Sequence, residues 1–328
     1  MQRVVDPPPA QAALLRDSLV LDDGLVVTAA GALVEESLIN QRRAIRFGNL
    51  YRPLPTARVA VSEVPVEAAE LPGDAVHVLL KQRWDSNYGH WLVESLPRLA
   101  MVREMAELAR CRFLVRQPAS AAMRRVCLDS LALFGIAEAQ VIFVGNAALA
   151  VPELLYPAPL TVQPWVKAPL AIRTLEEMAA RAGAAPASAG TAAGRIYVSR
   201  NAYQAERRRL LNEAELLPIL EARGYVTIHP EQLSLREQML AFASAGMVVG
   251  NMGAALSNLV FSPPGVRVFV LATEGMMDDF FYDIVCHKQG AYWSLHGRAE
   301  QPELGMQSDF TLDPARFAAL LDAFEAGC

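Results

Sequence analysis

Charge is scarce in this sequence, and so is cysteine. Charged residues make up 20% of the 328, and acidic side chains outnumber basic ones 35 to 30, for a net charge of -5. A chain without a basic excess has no field with which to release counterions from a polyanion, which excludes nucleic acid as a partner. The four cysteines, Cys111, Cys127, Cys286 and Cys328, show no close metal-ligand spacing and are too few for a disulfide framework at this length. A reducing cytoplasm fits them. No Asp-x-Asp occurs, and one histidine with one carboxylate is too few ligands for a metal, so neither metal nor cofactor is expected.

Charge is missing altogether from Gln238 to Val266. Hydropathy alone would admit a membrane span there, but Asn251, Ser257, Asn258 and Ser262 would sit in lipid, and Pro263 and Pro264 break a helix. A buried strand, a turn and a buried helix are expected instead. The opening segment carries Asp6 and three prolines before any apolar run, which argues against a signal peptide or anchor helix. No strongly basic amphipathic stretch marks a membrane surface, which leaves at most a peripheral contact at the inner membrane.

What is present is an ordinary globular composition, 53% hydrophobic with a mean hydropathy of +0.21, in a chain long enough for two domains. Residues 24–36 read as a β hairpin. Strands at Val76, Phe113 and Val141 then alternate with helices over His90 to Met105 and Ala119 to Phe134, the pattern of parallel βαβ units. A helix and the small-residue tract from Ala182 to Gly194 form a linker. A second alternation follows, with strands at Arg195, Tyr225, Met247 and Val266. Asn212 with Glu215, and Ser234 with Glu237, read as caps of its helices, and Asp313 with Pro314 opens a last one. The expected division is residues 1–165, a helix and linker over 166–194, and 195–328. Two Rossmann-like α/β halves imply a ligand cleft at the carboxyl ends of the strands.

Three segments carry candidate chemistry. Gly250-Asn251-Met252-Gly253 follows a strand and opens a helix of small residues, where close backbone approach and free amides suit a diphosphate. A tight βα turn that merely needs glycine reads equally well. Arg200, at the carboxyl end of the strand from Arg195, is placed to grip phosphate oxygens, whereas Arg207 in the triplet to Arg209 reads as a solvated charge. In the first half, His90, Glu94 and Arg98 recur every four residues on a helix that starts after Asn87. There His90 is a candidate general base, with Glu94 orienting it or acting as base itself. The alternative is that Glu94 pairs with Arg98 and His90 only caps the helix.

Asn87-Tyr-Gly-His-Trp-Leu-Val-Glu-Ser-Leu-Pro-Arg98, Tyr197-Val-Ser-Arg200, Arg208-Arg-Leu-Leu-Asn-Glu213 and the stretch from Gly250 to Gly265 resemble the signatures of glycosyltransferase family 61. The resemblance implies a GT-B fold and inverting, metal-independent transfer from a nucleotide sugar, UDP-linked, to a glycan or lipid-linked glycan. It implies donor contacts at Arg200, Arg208, Gly250, Asn251, Gly253, Asn258 and Glu274. His90 and Glu94 then stand on the acceptor side with Asn87 and Arg98. Where the family carries histidine, this chain has Met252, and a thioether transfers no proton. A second reading therefore stands beside transfer: a binding or regulatory subunit that keeps the fold without turnover. A third is an epimerase or phosphorylase on a similar scaffold.

Overall fold

The protein is described by a computed structural model over residues 6–39, 44–47, 50–53, 67–188, 190, 194–201, 207–276 and 278–327. Met1 to Val5 of the opening segment, Thr191 to Ala193 of the small-residue tract, Glu206 and Cys328 lie outside these residues. The chain forms two compact units, Met1–Thr174 and Leu175–Cys328.

In the first unit β1 (Ala12–Leu21), β2 (Leu25–Val27), β5 (Ala68–Glu70), β6 (Val76–Leu79), β7 (Cys111–Arg116), β8 (Val141–Val144) and β9 (Ala148–Pro157) make one sheet. Two short antiparallel pairs stand apart from it, β3 (Ala44–Phe47) with β4 (Leu50–Pro53) and β10 (Thr161–Val162) with β11 (Val166–Lys167). The strands β6, β7 and β8 are parallel, as the alternation requires, and β9 lies parallel to β6 and antiparallel to β1. The expected hairpin is reduced to β2 and a single bridge from Val27 to Leu33, because β2 pairs with β1 instead. Sequence reasoning passes over β9 because Pro152 sits in its middle, and proline cannot donate to a ladder. The pairing shows how it is tolerated. Arg16 faces Glu153 and Ser18 faces Val151, so the register skips Pro152, and Asp17 between those partners adopts a left-handed φ of 50°.

The helical segment after β6 is not one regular helix. After α1 (Tyr88–His90), residues Trp91–Ser95 form a wide turn in which Leu96 N–H donates to Trp91 O, five residues back. Leu96–Arg98 then tighten before α2 (Leu99–Met105). Pro97 has no N–H to return to the preceding turn, which breaks the regular ladder at this point. Trp91, wholly buried, ties the segment down by donating from Nε1 to Ser130 Oγ of α3 (Ala121–Ala132) at 3.0 Å.

The helix α4 (Pro169–Arg181) spans the division between the units. In the second unit, β12 (Gly194–Val198), β13 (Val226–Ile228), β14 (Ala245–Asn251), β15 (Arg267–Thr273), β16 (Ala291–Ala299) and β17 (Phe310–Thr311) lie in the order β13-β12-β14-β15-β16-β17. All but β17 are parallel. One face, with Tyr197, Val249, Phe269 and Leu271, packs on α5 (Glu213–Glu221) and α8 (Pro314–Ala326) through Leu216, Leu220, Phe317 and Phe324. The remaining helices are α6 (Leu235–Ala243) and α7 (Phe280–His287). The uncharged run from Gln238 thus covers the end of α6, β14 and the tight helical turns of Ala254–Phe261. Among the described residues, no helix is long and apolar enough to cross a membrane.

Ser234 caps α6 reciprocally with Glu237, and Asp313 accepts two amides at the start of α8. Asn212 does not cap α5. Its side chain donates to Leu312 O at 2.8 Å and accepts from Leu312 N at 3.1 Å, so a distant backbone segment competes successfully for the amide. The small-residue tract is tied to the second unit, with Ala187 N–H donating to Ala243 O at 3.1 Å and Arg236 Nε to Ala182 O at 2.9 Å.

Candidate functional site

In the first unit the candidate chemistry collects beyond the carboxyl end of β6. Asn87 starts α1 by accepting from Gly89 N at 2.9 Å, which accounts for its side chain as a cap. One turn on, His90 Nδ1 lies 3.0 Å from Glu94 Oε1. Glu94 is wholly buried, and its other oxygen accepts from Gln82 Nε2 at 3.1 Å. The ring of Trp84 stands 5.3 Å from that of His90, and Trp84 holds a left-handed φ of 64° that a bulky residue adopts only under constraint.

Arg98 departs from the expected arrangement. The wide turn at Trp91–Ser95 puts it out of four-residue phase with Glu94, and it is 1% exposed. Its Nε donates to Pro157 O at 2.7 Å and its guanidinium lies over the Tyr156 ring, 5.5 Å from the centroid. It braces the end of β9. Neither the Glu94–Arg98 pair nor the three-residue face forms.

Beside this cluster lies a partly buried charge network that the sequence does not announce. Asp85 accepts from Arg116 Nε, and Arg116 Nη2 reaches Asp23 at 2.7 Å and Gln82 O at 2.7 Å. Burial raises the Asp85 carboxyl, opposed by Arg116, while burial brings the Lys81 ammonium down to about 8. Its members are 93 residues apart at the widest pairing, Arg116 Nη2 to Asp23 Oδ1, and 64 apart from Lys81 Nζ to Gly145 O, so no spacing rule could have found it.

In the second unit the strand order reverses between β12 and β14, and in such sheets ligands bind outside the carboxyl ends at that switch point. Arg200 stands there, two residues past β12, and Gly253 ends β14's extension. The two touch: a side-chain carbon built on Gly253 would overlap Arg200 Nη1. Gly253 takes extended backbone and opens the helical turns of Ala254–Phe261, so a guanidinium stands at the start of those turns.

Gly250 is not a loop residue, contrary to expectation. It lies inside β14, paired with Val198 and Val270, where a side-chain carbon would stand 2.9 Å from Val198 Cβ. Its glycine serves strand packing. Asn251, next along, is 3% exposed and neither atom of its amide has a partner. A buried unsatisfied amide costs about 1–3 kcal/mol, so Asn251 is a candidate for a polar contact at this site. Met252 is buried, and its N–H continues the ladder to Leu271 O.

Three other expected donor residues are Asn258, Glu274 and Arg208. Asn258 is buried and donates to Gln238 Oε1 at 2.9 Å, a bond within the unit's core. Glu274, just past β15, is exposed and accepts from Ala299 N at 3.1 Å. Arg208 has a left-handed φ of 60° and a buried Nε without a partner, and burial lowers its guanidinium against the pull of Asp278. Arg207 is exposed, and Arg209 pairs with Asp309. No group of three or more histidine, cysteine, aspartate or glutamate side chains able to hold a metal occurs among the described residues.

A search of curated proteins finds no match to this chain. The family model for glycosyltransferase 61 matches residues 88–269, more than half of the sequence and a span that includes His90, Glu94, Arg200 and Gly253. The chain belongs to the glycosyltransferase 61 family.

Proposed function

We propose that this protein is an inverting, metal-independent glycosyltransferase of GT-B type, moving a hexosyl or pentosyl group from a uridine diphosphate donor to a glycan or lipid-linked glycan hydroxyl. Surface polysaccharide synthesis on the cytoplasmic side, with peripheral contact to the inner membrane, is the setting that suits it. The observation that carries this reading is the buried Glu94 held against His90 at 3.0 Å, in the same matched family span as the Arg200–Gly253 contact.

With Nδ1 engaged by Glu94, proton chemistry falls to Nε2 of His90. It takes the acceptor's hydroxyl proton as that oxygen bonds to the anomeric carbon and the bond to the diphosphate oxygen breaks. Arg200 and the amides beyond Gly253 receive the departing charge, with Asn251, Arg208 and Glu274 as further donor contacts. Purified protein screened against nucleotide sugars should consume one of them, and His90→Ala or Arg200→Ala should lower that rate by about a hundredfold or more. Unchanged rates in both variants would remove these residues from the mechanism.

The buried thioether of Met252 beside the unsatisfied Asn251 favours one alternative, a subunit that binds nucleotide without turning it over. Calorimetry would then detect uridine diphosphate binding in a protein that consumes no donor.

A further inference from the structure

Gln82 lies three residues beyond β6, 7% exposed, and is absent from every motif that points to the reaction. Its Nε2 donates to Glu94 Oε2 at 3.1 Å, while His90 Nδ1 stands against Glu94 Oε1. A wholly buried carboxylate is costly unless donors meet its oxygens, and Gln82 and His90 meet one each. The amide turns its Nε2 to Glu94, and its buried Oε1 has no partner.

The backbone of Gln82 is clamped as well. Its N–H donates to Asp85 Oδ2 at 2.9 Å, its carbonyl accepts from Arg116 Nη2 at 2.7 Å, and Asp85 and Arg116 are themselves paired. A buried ion pair is a weak source of stability. This one brackets a single residue whose side chain reaches Glu94.

We propose that Gln82, clamped by Asp85 and Arg116, is a positioning residue that holds the Glu94 carboxyl against His90 and so sets the orientation and acid–base response of the His90 ring. The role rests on His90 and Glu94 being the acid–base pair of the reaction proposed above. Other charged groups around the network are Lys81, Asp22 and Asp23 at the strand end, Arg83 over the Trp84 ring that faces His90, and Arg98 along the helix. Gln82→Met leaves all of them in place.

Gln82→Met keeps length and volume without the hydrogen bonds. The test follows the imidazole chemical shifts of His90 against pH by NMR in the full chain, with His77, buried in β6 of the same unit, as the fold control. The expected result is a His90 curve displaced to higher pH, because a carboxylate that has lost a donor holds a proton on the pair more firmly. Gln82→Glu should move it the same way, since two facing carboxyls must share a proton, and it replaces Gln82→Met should that variant lose the His77 signal. In the turnover assay the displaced curve should come with a kcat about tenfold lower and an unchanged KM for the donor. An unchanged His90 curve with His77 intact overturns the inference. A displaced curve in the variants, together with a wild-type protein that consumes no nucleotide sugar, sinks the transferase reading and leaves Gln82 as the residue that sets the His90 curve.

Discussion

Gly250 and Gly253 belong to one motif and answer to different physics. A methyl on Gly250 would lie 2.9 Å from Val198 Cβ and 3.1 Å from Leu256 Cδ2, both fixed in the sheet and its following turns. Gly250→Ala should therefore cost about 1–3 kcal/mol of stability, read as a lower urea midpoint, and leave nucleotide affinity nearly unchanged in the folded fraction. A methyl on Gly253 has only Arg200 side-chain atoms as its three nearest neighbours, with the overlap at Nη1 rather than at backbone. Gly253→Ala should keep the midpoint and weaken uridine diphosphate about tenfold by calorimetry, about 1.4 kcal/mol. The reverse pattern would show that Arg200 is not where the diphosphate binds.

At the scale of elements, the helix ends separate local from long-range causes. Asp313 accepts from Ala315 N at 2.8 Å and Arg316 N at 3.2 Å, bonds that depend on nothing but neighbouring sequence. The helix it starts, α8, lays Phe317 and Phe324 against Phe269, with ring centroids 6.0 and 5.4 Å away. Asp313→Ala should lower stability by about 1 kcal/mol in a urea titration with an unaltered slope, as an N-cap loss does. A loss several times larger would mean that the cap also fixes how α8 meets the sheet. The wide turn at Trp91–Ser95 is the opposite case, where Pro97 dictates a break and only the packing of Trp91 decides how the chain accommodates it.

For the molecule as a whole, His77 gives stability a slope in acid. It is 1% exposed in β6, and burial holds its imidazole below the usual value of 6.5, with Arg112 adding to the effect and Asp74 opposing it. The unfolded chain therefore binds a proton at 6.5 that the folded chain refuses until lower pH. Its contribution to stability is fully present above 6.5 and is lost as pH falls from there through the folded value. His77→Gln should flatten the fall in urea midpoint between about pH 7 and pH 5. An identical slope in that variant would assign it to other groups.

Much of this architecture is written locally. Alternating apolar runs specify the parallel strands β6 to β8 and β12 to β15, and the caps at Ser234 and Asp313 follow from side chains within three residues of the amides they meet. His90 and Glu94 meet because one helical turn separates them. What lay beyond the sequence depends on contacts between distant segments. Pro152 hides β9 until Asp17 is seen to kink opposite it, and Arg98 leaves the helix face for a carbonyl 59 positions away. Gln82 acquires its place only when Arg116, 34 residues on, closes over its carbonyl. Residue type and spacing determine which groups can react; which of them are buried, held and turned toward one another is decided by the packing that brings those segments together.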